Sequence, residues 1–377
     1  MRTMELARAA HKAVHHYARL TPGENVLVLA DSIVDRGLVD AFASAAYALG
    51  GETQVMTFET RPEINREPPK AVAAALAAAD LVLDLIQQYI IHTSAYWRAR
   101  EGGTRILCGT GITEEMLIRL VGGVDYDELV QLGARLMSVF SAGEECRVET
   151  GEGDVLTMTL TGRPQVMRDG LLDGPGDLDY MPGAQLSSAP IEESINGAIV
   201  IDGSAYPPVG AVGAAIRVFY RDGRVVDVQG GPAAARWHAW LTRFDDPKMF
   251  CVAHISIGMN PAARHTGNIL EDERVAGCFV LGHGSQMPHF KGKLGRASSH
   301  TDLVAVAPRI PWTGTRAGWW TARLSPRVGS SASEGRARPR SRTASPVRPA
   351  PGPAPGRAAS ASAYRRSNSH ITPCNRR

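Results

Sequence analysis

The chain has 377 residues, enough for two domains with a sizeable core. Its formal net charge of +3 is the sum of +13 for residues 309–377, which contain 14 arginines, and −10 for residues 1–308. This uneven distribution excludes an evenly basic protein. No apolar run approaches the roughly 18 residues of a membrane span, so we predict a cytoplasmic protein. The cysteines form no CxxC pair, and we predict free thiols at Cys108, Cys146, Cys251, Cys278 and Cys374.

Residues 1–142 alternate helical and strand-like segments. Buried-type strands are predicted at 25–30, 53–58, 81–86 and 104–108, and helical segments of about ten to fifteen residues lie between them. This alternation is typical of βαβ units, so we predict an N-terminal α/β domain with a mainly parallel sheet. Two further helices, at 113–120 and 126–140, would close it.

The pattern changes near residue 143. A hairpin is predicted around residues 151–154 and another around the Asp222-Gly223 dipeptide, with a strand at 197–201 between them and one helix at 233–244. Strand-like runs follow at 250–257 and 303–306. We therefore predict a C-terminal α+β domain at 143–308.

From residue 309 the composition is dominated by Arg, Ser, Pro, Ala and Gly. Residues 329–363 have almost no aliphatic side chain larger than alanine, so they cannot bury enough surface to offset the entropy of ordering. We predict a disordered tail at 309–377. The abrupt change in composition is also what a shifted reading frame would produce.

Three residues in or beside predicted strands could hold a metal. His300 and Asp302 are two positions apart, so in a strand their side chains share one face, and His254 lies inside another strand-like run. Two histidines and one carboxylate suit non-haem Fe(II) that handles O2. A packed core histidine at 254 and a turn-capping role for Asp302 are the structural alternatives.

The chain resembles the 2,5-dihydroxypyridine 5,6-dioxygenases, within the superfamily of aminopeptidase T-like metallopeptidases. The resemblance spans about residues 5–308. The segments that carry it are 103–107, 179–183, 197–202, 237–261 and 300–302. It implies a mononuclear Fe2+ held by His254, His300 and Asp302.

The resemblance also implies a serine ligand within residues 280–285, where this chain has Gly282 at the aligned position. His283 is the expected replacement, and Ser285 or water are the alternatives. The same comparison places a substrate-contacting histidine at His92 and an acid–base histidine at Tyr180. A phenol with a pKa of about 10 is a poorer base at neutral pH than an imidazole, so we expect a different residue to carry the proton-transfer step and the substrate to differ from the family's.

The resemblance thus predicts a ring-cleaving dioxygenase that uses a hydroxylated pyridine or related aromatic and O2. No specific nucleic-acid or membrane partner is expected, and a homo-oligomer is left open. The alternatives are an aminopeptidase T-like metallopeptidase and an inactive relative. The peptidases have glutamate where this chain has His254, which disfavours a dinuclear site. We interpret the acidic run Glu271-Asp272-Glu273 as a solvated helix start rather than a set of bridging ligands.

Overall fold

Helices and strands alternate through the computed structural model, which describes residues 1–142, 145–151, 153–312 and 318–321. The helices are α1 (Arg2–Lys12), α2 (Arg36–Ala48), α3 (Lys70–Ala78), α4 (Ser94–Glu101), α5 (Glu114–Met116), α6 (Tyr126–Ala142), α7 (Pro232–Thr242) and α8 (Ile269–Asp272). The first ten strands are β1 (Asn25–Asp31), β2 (Glu52–Phe58), β3 (Leu81–Asp84), β4 (Arg105–Cys108), β5 (Glu145–Thr150), β6 (Asp154–Thr159), β7 (Gln165–Arg168), β8 (Leu178–Tyr180), β9 (Gln185–Ser188) and β10 (Asn196–Ile201). The others are β11 (Ser204–Tyr206), β12 (Gly210–Ala211), β13 (Ile216–Arg221), β14 (Arg224–Gln229), β15 (Val252–Gly258), β16 (Phe279–Gly284), β17 (His300–Ala305), β18 (Arg309–Trp312) and β19 (Gly318–Thr321).

The first sheet is parallel, in the order β2-β1-β3-β4-β8. In β1 every residue after Asn25 is buried, and β3 is buried throughout. Continuous apolar runs of this kind form because helices cover both faces of a parallel sheet. The predicted N-terminal α/β architecture is confirmed.

The fifth strand of this sheet, β8, comes from beyond residue 142. Leu178–Tyr180 runs parallel to β4 and places Tyr180 beside Cys108, at the carboxyl end of that strand. The short β8 segment gave no strand signal in the sequence. The division of the chain at residues 142 and 143 stays a prediction.

Two antiparallel seven-stranded sheets make up the remainder. Their orders are β14-β13-β10-β6-β5-β18-β19 and β12-β11-β17-β16-β15-β9-β7. One hydrophobic core contains buried side chains of both sheets, such as Leu156 and Leu281, together with Trp237 of α7. The predicted α+β character of this part is therefore confirmed.

Two strands lie inside the segment predicted as a disordered tail. Arg309–Trp312 pairs with β5 and with Gly318–Thr321. Isoleucine and tryptophan favour strands, and the composition of the whole segment masked this local signal. Residues 313–317 and 322–377 lie outside the described residues, so their predicted disorder stays a prediction. Among the helices of the described part, none is long and apolar enough to cross a membrane.

Candidate metal centre and its cavity

Three neighbouring antiparallel strands bring His254, His300 and Asp302 to one face. In the register of β15, β16 and β17, His254 lies opposite Gly282, which in turn lies opposite Asp302. Residues directly opposite each other in antiparallel strands point to the same face, and so do residues two apart in one strand. The face that carries His254 therefore also carries Asp302 and His300.

The side chains converge on a common point. Nε2 of His254 lies 3.2 Å from Nε2 of His300. Asp302 Oδ1 lies 3.4 Å from the His254 nitrogen and 3.3 Å from the His300 nitrogen. Two ligand atoms that each lie about 2.1 Å from one metal ion, with a ligand–metal–ligand angle of about 90–110°, are about 3.0–3.4 Å apart. Asp302 Oδ1 is buried and has no hydrogen-bond partner in the described part of the chain. These three residues fit a single cation.

The opposite nitrogen of each imidazole is already engaged. Nδ1 of His300 lies 2.9 Å from the Ser285 carbonyl oxygen, to which it donates. Nδ1 of His254 lies 3.3 Å from Ser256 Oγ, and that hydroxyl pairs with Ser187 Oγ at 2.8 Å. A partner at Nδ1 fixes the ring orientation and leaves Nε2 for a metal.

The three groups also stabilise each other electrostatically. Burial lowers the pKa of His300, but the Asp302 carboxylate outweighs burial and the net change in that pKa is upward. Burial raises the pKa of Asp302, yet the charge of His300 and then the adjacent His254 imidazole hold it below its usual range. Asp302 is thus ionised at neutral pH, as a metal ligand must be.

His283 does not join this group. It is fully buried on the opposite face of β16, where Nε2 lies 2.8 Å from the Tyr220 hydroxyl and Nδ1 lies 3.2 Å from the Leu281 carbonyl oxygen. Its ring also packs edge-on against Trp237. Strand alternation explains the placement, because His283 follows Gly282, which faces the cluster. The expectation that His283 supplies a fourth ligand disagrees with the structure.

The alternative donor Ser285 also has other partners. Its hydroxyl donates to the Ala297 carbonyl oxygen and accepts from the Ala297 amide, both at 3.0 Å. Its contribution to the centre is its backbone carbonyl, which orients His300. Neither of the two protein alternatives therefore presents a side chain as a fourth ligand.

A cavity of about 190 Å³ opens beside the cluster. Drug-sized ligands occupy about 300 Å³ or more, so this volume suits one small ring. His254, His300 and Asp302 line the cavity together with both residues predicted to assist catalysis, His92 and Tyr180. The structure thus brings five of the six predicted site residues to one cavity.

His92 lies in the segment between β3 and α4, where its backbone amide donates to Asn65 Oδ1. Burial, and then the charges of His300 and Arg296, lower the pKa of His92 to about 4. Its imidazole is therefore neutral at neutral pH and able to accept a hydrogen bond, although the low pKa makes it a weak base.

Tyr180 ends β8 and lies near two guanidinium groups. The Cζ atoms of Arg168 and Arg274 lie 5.8 Å and 5.7 Å from its ring centroid. Burial raises the pKa of the Tyr180 phenol further than these arginines lower it, so the hydroxyl remains protonated at neutral pH. A protonated phenol can donate a hydrogen bond but does not act as a base.

Glu273 and Arg274 also line the cavity, whereas the sequence analysis placed Glu273 in a solvated helix start and did not single out Arg274. The acidic run is not a solvated helix start: Glu271 and Asp272 are buried, and Glu273 accepts hydrogen bonds from Arg274 Nη1 and Gln185 Nε2. Burial and the Asp302 charge raise the pKa of Glu273. The signal was present in the sequence, because apolar residues flank the run on both sides and an arginine follows it directly.

Comparison with known proteins identifies similar chains. The family model described as NicX: 2,5-dihydroxypyridine 5,6-dioxygenase matches residues 7–279. A curated protein of Pseudomonas putida with the name 2,5-dihydroxypyridine 5,6-dioxygenase is 27% identical over 217 residues, which cover 55% of this chain and 59% of that protein. The aligned part thus spans less than two thirds of the curated relative.

Solved structures show the same fold. The structure of the 2,5-dihydroxypyridine dioxygenase from Pseudomonas putida superposes with a TM-score of 0.67 at 21% identity, and covers 82% of this chain and 93% of that one. Wild-type AmpT from Thermus thermophilus gives a TM-score of 0.58 at 15% identity, and covers 84% and 96%. At these identities the similarity establishes the fold alone.

Proposed function

The chain belongs to the 2,5-dihydroxypyridine 5,6-dioxygenase family, and from this premise we propose that it is an Fe(II)-dependent dioxygenase that cleaves a hydroxylated pyridine or a related aromatic ring. The observation that carries the proposal is the convergence of two imidazole nitrogens and one unpartnered carboxylate oxygen within 3.4 Å of one another. Nitrogen and oxygen donors in this number leave positions open for two reactants.

In this proposal His254, His300 and Asp302 hold Fe2+. When bound, the ion would favour the deprotonated form of a ring hydroxyl and bring the substrate and O2 together. His283 is left out of the ligand set because its ring faces the hydrophobic core.

The protein's own groups would handle the protons. Neutral His92 would accept a hydrogen bond from a ring hydroxyl and so orient the substrate, and Tyr180 would donate a hydrogen bond or proton to an oxygen of the reacting ring. Phe290, which stacks on His254 with ring centroids 5.6 Å apart, would restrict the access of water to the centre.

Oxygen uptake tests the proposal. The full chain is loaded anaerobically with Fe2+, mixed with 2,5-dihydroxypyridine and exposed to O2. We expect one iron per chain and consumption of one O2 per ring. The Asp302→Asn variant should lose both. A folded, iron-loaded protein that takes up no O2 with this or a related hydroxylated ring would contradict the proposal.

An aminopeptidase remains the second candidate because the fold of AmpT is shared and a further carboxylate, Glu273, lines the cavity. This alternative requires two metal ions per chain and hydrolysis of aminoacyl anilides without O2. An inactive relative would retain little iron. Elemental analysis together with both assays separates the three functions.

A further inference from the structure

Three arginines line the cavity together with Tyr180. They are Arg100, Arg168 and Arg274. Burial lowers the pKa of Arg100, and the positive charge of Arg168 contributes to this lowering. Arginines remain charged in proteins, and this part of the cavity therefore carries three fixed positive charges.

These charges are only partly compensated by the protein. Arg274 donates through Nη1 to Glu273 at 2.9 Å, but its Nε is buried and has no partner in the described part of the chain, and only 4% of its side chain is exposed. A buried donor left without a partner is destabilising, so such a group indicates a ligand that completes its hydrogen bonding.

The partners of the other two arginines are weak or neutral. Arg168 Nη2 lies 3.0 Å from Nε2 of His289, and burial, followed by Arg168, lowers the pKa of that histidine to about 3. The contact of Arg168 Nη1 with Asp179 is long, at 3.7 Å. Arg100 donates through Nε to the carbonyl oxygen of Gly176.

Few acidic groups face these arginines in the cavity. Among the residues that the structure describes, its lining includes Glu273 and Asp302 as the only acids, and Asp302 belongs to the candidate metal centre. A ring without an acidic group would leave the excess positive charge without a counter-ion. A carboxylate would pair with a guanidinium through two parallel hydrogen bonds, the geometry that arginine presents best.

We propose that Arg100, Arg168 and Arg274 form a carboxylate-binding subsite, so that the substrate of this chain is a hydroxylated aromatic ring that bears a carboxylate group. This inference rests on the proposed function, because it assumes that the ring lies in the same cavity as the metal centre. The carboxylate would anchor the ring at the arginines and direct its hydroxyl group toward His254, His300 and Asp302.

A matched pair of ligands tests the subsite. The probes are 2,5-dihydroxypyridine and 3,6-dihydroxypyridine-2-carboxylate, which is the same ring with one added carboxylate. Their dissociation constants are measured by calorimetry on the full, metal-loaded chain without O2, at fixed pH and ionic strength. We expect the carboxylated ring to bind about tenfold more tightly or better.

Arginine variants assign the effect to the subsite. Arg168→Gln should remove most of the preference for the carboxylated ring, and Arg168→Lys should restore part of it. Arg217→Gln is the control and should keep the preference of the wild type. Arg217 on β13 pairs with Asp154 on β6, and both strands belong to a different sheet from β7, which carries Arg168. Arg274→Gln gives a second measurement, although it also leaves Glu273 without its arginine.

The outcomes separate the two proposals. Equal binding of the two rings by the wild type, or an equal loss of preference in Arg217→Gln and Arg168→Gln, would overturn the subsite whether or not O2 is consumed. A clear preference that Arg168→Gln abolishes, without O2 uptake on either ring, would support the subsite while the proposed dioxygenase activity fails.

Discussion

A Cβ atom on Gly282 would lie 2.3 Å from Nε2 of His254. The imidazole therefore occupies the space above the middle strand of three, where any other residue would place its side chain. Because glycine has no side chain to fill this space, His254 on β15 can approach Asp302 on β17 across β16. The glycine is thus a condition for the convergence of His254 with Asp302.

Replacement of Gly282 by alanine should displace the His254 ring. Contacts below about 3.0 Å between a Cβ atom and another side chain are not tolerated, so the imidazole must move away from Asp302. We expect about 10- to 100-fold weaker metal binding, measured by anaerobic titration with Fe2+. Gly174→Ala is the matched control, because a Cβ there meets only one side-chain atom at 3.8 Å. Wild-type affinity in the Gly282 variant would show that His254 is not a ligand.

Replacement of His283 should affect stability but not metal content. His283→Ala leaves the buried Tyr220 hydroxyl without its partner and creates a cavity beside Trp237. The unpaired hydroxyl alone costs about 1–3 kcal/mol of the free energy of unfolding. Denaturant titration and elemental analysis measure the two effects.

His254→Ala should give the opposite result, with loss of metal and a smaller change in stability. The ring of His254 is not fully buried, and its polar neighbours include the other two candidate ligands, His300 and Asp302. If His283→Ala abolished metal binding in a folded protein, His283 would have to be returned to the ligand set.

The sequence predicted part of the candidate centre, because the signal of the His300 and Asp302 pair is local. The spacing of His300 and Asp302 places both on one face of any strand, and apolar runs of the β1 type identify a parallel sheet. The convergence of His254 with this pair depends on the pairing of three strands, which no local pattern encodes. The exclusion of His283 follows from the same alternation that unites His300 and Asp302.

What the sequence did not predict lies in short or charged segments. β8 has three residues, too few for a periodicity, yet it carries Tyr180 to the cavity. The run from Glu271 to Arg274 has the composition of a surface, and only its partners reveal that it is buried. Arg119 is one of these partners, and it approaches from a segment 152 residues away in the sequence.

Glu271 should be far more important for stability than Glu115, although both pair with Arg119. Glu271 Oε1 lies 2.6 Å from Arg119 Nη1 and also accepts from the Arg264 amide, and 1% of its side chain is exposed. Glu115 is 56% exposed. Breaking a buried pair costs about 3–5 kcal/mol, whereas an exposed pair contributes about 0–1 kcal/mol.

Urea denaturation of Glu271→Gln and Glu115→Gln tests this difference. Both variants remove one negative charge next to the same guanidinium, so each controls for the other. Equal losses would mean that Glu271 is solvated in solution, as the sequence pattern had indicated.

Asp84 should make stability decrease as the pH rises. The carboxyl group is fully buried in the parallel sheet, where Oδ2 accepts from the Tyr96 hydroxyl and Oδ1 from the Ile86 amide. Burial raises the pKa of Asp84 to about 6, against the effect of the Tyr96 hydrogen bond. In the unfolded chain the pKa is about 3.9, so unfolding releases a proton between about pH 4 and pH 6.

The stability contribution of this group is therefore fully present below about pH 4 and is lost as the pH rises through 6. The loss is about 3 kcal/mol for a difference of this size. Asp84→Asn cannot ionise, and its amide can donate to the Tyr96 oxygen while Oδ1 still accepts from Ile86. We expect the stability of this variant, relative to the wild type, to increase by up to about 3 kcal/mol from pH 4 to pH 7.

Urea denaturation at several pH values measures that increase. Asp80→Asn is the control, because hydrogen bonds from Asn25 lower the pKa of the exposed Asp80 carboxyl, and it is ionised in both states above pH 5. Its effect should therefore be the same at pH 5 and pH 7. If the Asp84→Asn and wild-type curves ran parallel between pH 4 and pH 7, the buried carboxyl would already be ionised at acidic pH. The Tyr96 hydrogen bond would then outweigh burial.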